Sequence, residues 1–325
     1  MVWIEFLICA GLLTFFAYNL CKEGIIISEK THIEEGIIGM FFLAIATSFP
    51  EIITSASAVF SLGRIGLGYG DIIGSLIVNF MILFALDYFY GGGRILLKAS
   101  KLNRMTVIFV LASVLTVLGG AVLRLLPLAL PHVGRIGIES LFIVGQYLLY
   151  LKIVHKNSRT GEIGSSYKND ESLGKIWVKF ISFLGIVMLL SVWMARVGEK
   201  IIVLTNLSQT FTGALLLGLA TSLPEIIVSF AALRASSLDM AIGNIFGSNL
   251  FDLCIIPFLD VLTKAPILGM LTAGQIIATV IALILTVVVL VGLFSKKDTK
   301  TRFNWDTGLI FLIGFLGFVV LYFVK

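Results

Sequence analysis

Glu51 and Glu225 lie in the middle of long apolar stretches, in two segments that read almost alike. These are Ala44-Ile-Ala-Thr-Ser-Phe-Pro-Glu-Ile-Ile-Thr-Ser55 and Gly218-Leu-Ala-Thr-Ser-Leu-Pro-Glu-Ile-Ile-Val-Ser229, identical at eight of twelve positions. A carboxylate at bilayer depth costs about 2.5–3.5 kcal/mol on insertion scales. A chain that bears this cost twice, at matching positions of two halves, is read as using both carboxylates together. The natural use is to hold a cation.

The neighbouring residues supply further oxygens. Thr47, Ser48, Thr221 and Ser222 offer hydroxyl or backbone oxygens, and carbonyls around Ala44 and Gly218 are expected to open toward the ion where each helix breaks. Calcium takes about 6–8 oxygens at roughly 2.3–2.6 Å, with carboxylates central. No cluster of Cys or His appears in the sequence, which argues against a soft transition metal. A second pair of segments extends the duplication: Gly70-Asp-Ile-Ile-Gly-Ser-Leu-Ile-Val-Asn79 aligns with Gly243-Asn-Ile-Phe-Gly-Ser-Asn-Leu-Phe-Asp252. Ser75 and Asn79, like Ser248 and Asp252, are four residues apart and so share one helical face. Serine and glycine here also suit plain helix packing. Asp252 is different, because an aspartate deep in an apolar span needs a partner or an ion.

The elements that position these groups follow from composition. The chain is 58% hydrophobic and only 13% charged, with a mean hydropathy of +1.05. Soluble domains are roughly 45–50% apolar and about 25% charged, so this is an integral membrane protein. A helical span needs about 20 apolar residues. Ten candidates occur, at 3–21, 34–60, 68–88, 105–123, 134–153, 176–197, 209–233, 239–262, 273–293 and 306–324. Their unbroken apolar character excludes a β-barrel. Span 1 lacks a basic leader region and has a counterpart at 176–197, so it reads as structural and not as a signal peptide. The four tryptophans fall near span ends, as interfacial anchors should.

Pro50 and Pro224 each remove a backbone donor in mid-span and should break spans 2 and 7. Ser48 and Glu51, with Ser222 and Glu225, spell capping boxes for the second half-helices. Five spans precede a polar linker, 154–175, and five follow it. An odd number per repeat makes the second copy enter from the opposite side, an inverted repeat of the kind that places substrate at the midplane. Seven of the 24 Lys and Arg (Arg64, Arg124, Arg135, Arg196, Lys200, Lys264 and Lys325) fall on one side and 17 on the other. The richer side is assigned to the cytoplasm, which puts both termini outside. The basic excess is therefore a topology signal and not a sign of nucleic-acid binding. Cys9, Cys21 and Cys254 have no metal spacing and read as small apolar residues.

These residues resemble the paired α-repeats of the sodium/calcium exchanger family in its compact prokaryotic form. The resemblance covers 38–86 and 212–258, and the span count extends it over nearly the whole chain. It implies an all-α membrane antiporter with repeats at 1–153 and 176–325 joined by a cytoplasmic linker, alternating between outward- and inward-facing states. It implies Glu51 and Glu225 as central calcium ligands that share in sodium binding, with Thr47 and Thr221 contributing to both ions. Ser75 and Ser248, with the carbonyls of Ala44 and Gly218, would line flanking sodium sites, and Asn79 and Asp252 would border the centre. Spans 1 and 6 would slide against the rest. Leu76 opposite Asn249, and Asp71 opposite Asn244, depart from strict duplication.

The transported ions, Ca2+ and Na+, and the lipid bilayer are the expected partners, with no cofactor. Potassium-dependent and proton-coupled calcium exchange are the transporter-class alternatives. A cation channel is a remote one, because channels repeat one orientation around a pore. No nucleophile–base pair or metal-hydrolase motif suggests an enzyme. Glu139 has no counterpart at the matching depth in span 10; it is expected either to snorkel or to pair with Arg135, one turn before it.

Overall fold

The apolar stretches are helical over their described parts in the computed structural model, which describes residues 2–126, 131–157, 171–203, 217–295 and 304–324. Most of the 154–175 linker, the start of span 7 and, apart from that linker, five of the basic residues counted above (Lys296, Lys297, Lys300, Arg302 and Lys325) lie outside the described residues. The first repeat comprises α1 (Val2–Thr31), α2 (Glu35–Phe60), α3 (Ile65–Tyr90), α4 (Lys101–Leu125) and α5 (Ile138–Asn157). The second comprises α6 (Leu173–Val203), α7 (Gly218–Thr221 followed by Leu223–Arg234), α8 (Leu238–Leu262), α9 (Ala273–Phe294) and α10 (Trp305–Phe323). Among the described residues, nine helices are long and apolar enough to cross a membrane; α7 is described only from Leu217 onward.

Local sequence explains several boundaries. Ser100 accepts a hydrogen bond from the Asn103 amide (3.2 Å) and starts α4, while Thr272 and Gln275 form a reciprocal capping box at the start of α9. Gly91, at φ 61°, ends α3 in the left-handed conformation that glycine adopts without strain.

The middle of the molecule is built on α3 and α8. Helix α8 packs against α2, α3, α4, α5 and α7, whereas α1 packs chiefly along α6. Leu7, Phe15, Ile181 and Leu189 on that outer pair are largely exposed, an apolar surface suited to lipid. Close approach at the centre depends on missing side chains. A Cβ on Gly218 would lie 2.8 Å from the Gly74 carbonyl carbon, so α7 and α3 meet backbone to backbone.

The duplication extends into contacts that the motif comparison did not reach. Asp87, near the end of α3, accepts from the Ile95 amide (3.0 Å), Asn304 (2.8 Å) and Thr307 (2.6 Å). Asp260, near the end of α8, accepts from the Ile267 amide (2.7 Å), the Gly137 amide (2.9 Å) and Ser140 (2.7 Å). Each carboxylate thus ties a central helix to the loop after it and to the start of the fifth helix of the opposite repeat. Thr307 and Ser140 play the same part, which makes their preceding residues, Asp306 and Glu139, counterparts. Glu139 therefore does have a mate in α10, and it pairs with Arg124 through two nitrogens and not with Arg135. Asp306 pairs with Arg94 (2.6 Å).

Candidate cation site

Proline at the second position of each half-helix creates the site. Helix α2 is interrupted at Ser48 (φ −82°, ψ 5°) and α7 at Ser222 (φ −80°, ψ 0°), with Pro50 and Pro224 just beyond. The two breaks are near copies. Residues 38–43 of α2 are also wound as a π-helix, a form that often marks functional segments.

Two local expectations fail. Neither Ser48 nor Ser222 makes a side-chain cap hydrogen bond, so the capping boxes do not form. The Ser48 hydroxyl instead donates to Glu225 Oε1 of the other repeat (3.2 Å). The hydroxyl proton goes to a carboxylate, a charge-assisted bond that orients the side chain toward the other repeat, and its oxygen accepts no capping amide. The carbonyls of Ala44 and Gly218 are not released by the break either: each still accepts a backbone bond, from Ser48 (2.9 Å) and Ser222 (3.0 Å). Each also lies near a hydroxyl, Ala44 beside Thr47 (3.3 Å) and Gly218 beside Thr221 (3.3 Å) and Ser75 (3.4 Å).

The candidate side chains are all buried, with Thr47, Ser48, Glu51, Ser75, Asn79, Thr221, Ser222, Glu225, Ser248 and Asp252 each at 0% exposure. Short contacts or electrostatic interactions link all of them except Asn79 and Ser222. Ser75 donates within 3.4 Å of both Glu51 Oε1 and the Gly218 carbonyl, and its hydroxyl is 3.1 Å from that of Thr221. On the mirror side, the Thr47 hydroxyl is 3.4 Å from that of Ser248 and 3.3 Å from the Ala44 carbonyl. Glu51 lies within electrostatic range of Glu225, Asp252 and Asp71. Among the described residues, none of Glu51, Glu225 and Asp252 forms an ion pair with a basic side chain.

Several polar atoms of these buried side chains have no hydrogen-bond partner in the protein: Glu51 Oε2, Glu225 Oε2, both Asp252 oxygens, Asn79 Oδ1 and Ser222 Oγ. Unsatisfied buried oxygens are rare, and leaving a charged one unpaired is costly. Converging carboxylate, amide and hydroxyl oxygens are a donor set for a hard cation. No three His, Cys, Asp or Glu side chains among the described residues are set closely enough to chelate a metal. Two carboxylates supplemented by neutral oxygens fit an ion that is bound and released. Asn249, one residue beyond Ser248, also has both amide atoms without a partner, whereas Leu76 opposite it is simply buried.

The loss of the Ser48 side chain separates the two roles a serine could have there. A lost cap lowers stability by typically about 1 kcal/mol. Because Ser48 is buried and caps nothing, Ser48→Ala should cost the ion-free protein about 1–3 kcal/mol by leaving the Glu225 carboxylate without that donor. It should raise the calcium concentration for half-maximal transport several-fold, as Glu225 loses a donor that orients it. A stability loss with unchanged calcium dependence would return Ser48 to a capping role.

The fold and the site define a multi-pass membrane protein with two inverted five-helix repeats and a buried oxygen-lined centre between them. A family model for the sodium/calcium exchanger protein matches residues 1–155 and 175–324, and the chain belongs to this family. The chain is similar to the putative antiporter CaxA of Alkalimonas amylolytica, at 25% identity over 315 residues and 91% of each chain. It is also similar to the inner membrane protein YrbG of Escherichia coli, at 29% identity over 232 residues, covering 68% of this chain and 67% of that one. Among solved structures, the sodium-calcium exchanger NCX_Mj soaked with 100 mM Na+ and 10 mM Sr2+ superposes with a TM-score of 0.71 at 23% identity, over 97% of this chain and 98% of that one. At this identity the superposition speaks for the fold.

Proposed function

We propose that the protein exchanges several Na+ for one Ca2+ across the membrane by alternating access, and that the exchange carries net charge. The observation behind this reading is the meeting of Glu51 and Glu225, from two broken helices of opposite repeats, in one buried oxygen cluster. Ca2+ sits between the two glutamates, with Thr47, Thr221, Ser48 and Ser222 around it and Asn79 and Asp252 at its border. Na+ occupies flanking positions lined by Ser75 with the Gly218 carbonyl and by Ser248 with the Ala44 carbonyl.

Competition drives the cycle. Calcium and sodium cannot share the oxygens of Glu51 and Glu225, so sodium ions entering down their gradient displace calcium. If more than two Na+ replace each Ca2+, the membrane potential adds about 2.3 kcal/mol per net charge per 100 mV. The thinly enclosed pair α1 and α6 is suited to sliding against the remaining helices. The repeats run over 1–153 and 176–325, the 154–175 linker is cytoplasmic, and both termini are outside.

Calcium-45 uptake into reconstituted vesicles under imposed sodium, potassium or pH gradients tests the reading. An outward sodium gradient alone should drive uptake, and because each cycle then carries net positive charge outward, a potential that is positive inside should speed it and one that is negative inside should slow it. Uptake that needs potassium together with sodium would make this a potassium-dependent exchanger, and uptake driven only by a pH gradient would replace sodium with protons.

A further inference from the structure

The two repeats differ by one charge beside the cation cluster. Asp71 and Asn244 occupy equivalent positions, one turn before Ser75 and Ser248, and both are fully buried. The Asp71 carboxylate accepts from Thr221 through Oδ1 (3.0 Å) and from Thr54 (2.5 Å) and Ser55 (2.9 Å) through Oδ2. Asn244 donates to Ser229 (3.0 Å), and its Oδ1 lies 3.4 Å from the Thr47 hydroxyl. Ser229 matches Ser55, but the residue matching Thr54 is Val228. The half with the extra charge therefore also carries an extra hydroxyl donor to hold it.

A threonine hydroxyl has one proton. Thr221 can direct it to Asp71, to the Leu217 carbonyl (3.0 Å) or to the Gly218 carbonyl (3.3 Å). A carboxylate is the strongest acceptor of the three. With the proton committed to Asp71, the Thr221 oxygen and the Gly218 carbonyl are left as acceptors beside Ser75. Thr47 faces a neutral amide at 3.4 Å, and its one charged partner is the Glu225 carboxylate, itself a central ion ligand in the reading above.

We propose that Asp71 is a positioning residue that makes the Thr221–Ser75–Gly218 side the stronger of the two flanking sodium positions. This rests on the flanking-sodium assignment proposed above. The difference between a charged and a neutral acceptor predicts that Asp71→Asn raises the sodium concentration for half-maximal exchange about fivefold. Asn244→Asp should lower it, and the double exchange Asp71→Asn/Asn244→Asp should return it to within about twofold of the parent protein.

The measurement is the sodium dependence of calcium flux in reconstituted vesicles, with monodispersity in detergent followed for each variant. Structural damage would weaken sodium dependence in both single variants and add in the double, so opposite signs and mutual rescue identify positioning. Unchanged sodium dependence in Asp71→Asn, or a double variant worse than either single one, would overturn the inference. If Glu51→Gln retained flux, the cation-site reading itself would fall, whatever Asp71 does.

Discussion

Glu51→Gln and Glu225→Gln should each reduce sodium-driven calcium uptake at least a hundredfold at equal protein levels. The amide keeps the shape of the carboxylate but removes its charge and turns one oxygen into a donor. At an effective dielectric constant of about 20, a carboxylate and a divalent ion a few ångströms apart attract by more than 5 kcal/mol. Rehydration offsets part of this, yet a net loss of about 2.7 kcal/mol is already a hundredfold in affinity. The partners decide which variant disturbs its surroundings more. Glu225 accepts from Ser48 and Glu51 from Ser75, so either amide must turn its oxygen to that hydroxyl and its NH2 toward the ion. Folding should survive, because both side chains retain one hydrogen bond and lose a buried charge. Calcium-45 uptake in vesicles, with size-exclusion profiles as the folding control, checks this. Substantial residual flux in either variant would remove the two glutamates from the centre of transport.

Much of this site was legible because duplication doubles every signal. Thr-Ser-x-Pro-Glu at two places fixed both helix breaks to within two residues, and the second pair of segments found Ser75, Asn79, Ser248 and Asp252. What sequence could not supply were partners chosen across the interface between repeats. The pattern Ser48-x-x-Glu51 describes a local cap, but the carboxylate to which Ser48 donates, Glu225, is 177 residues away. Asp71 looked like a departure from symmetry, and only the 3.0 Å bond to Thr221 ties it to the cluster. Asp87 and Asp260 could have been found, since they keep the same 173-residue offset as Ser75 and Ser248. Glu139 and Asp306 could not be matched that way: the fourth helices and the loops after them differ in length and change the offset to 167, and the pairing emerges only from what Ser140 and Thr307 touch.

Removing Arg94 should destabilise the fold more than removing any other basic residue described. Its guanidinium is 0% exposed and spends its donors on Asp306 (3.1 and 2.6 Å), Ser295 (3.0 Å) and the Gly292 carbonyl (3.3 Å). The guanidinium carbon also lies 5.2 Å from the centre of the Trp305 ring. Breaking a buried pair by removing one partner costs about 3–5 kcal/mol, because the remaining charge is stranded. Arg94→Ala would strand Asp306, whose Oδ1 already lacks a hydrogen-bond partner. For a chain of this size that corresponds to a fall of roughly 5–10 °C in the apparent melting temperature. The mirror pair supplies the internal comparison. Arg124 and Glu139 have side chains 12% and 5% exposed, so water reaches the charge left behind and Arg124→Ala should lose less. Replacing Arg94 and Asp306 together by apolar residues should recover most of the loss, since a buried pair contributes little beyond its own desolvation. Thermal unfolding of the single and double variants in detergent measures the coupling. A double variant as unstable as the sum of the two single ones would mean that Arg94 holds the fold through Ser295, Gly292 and Trp305, independently of Asp306.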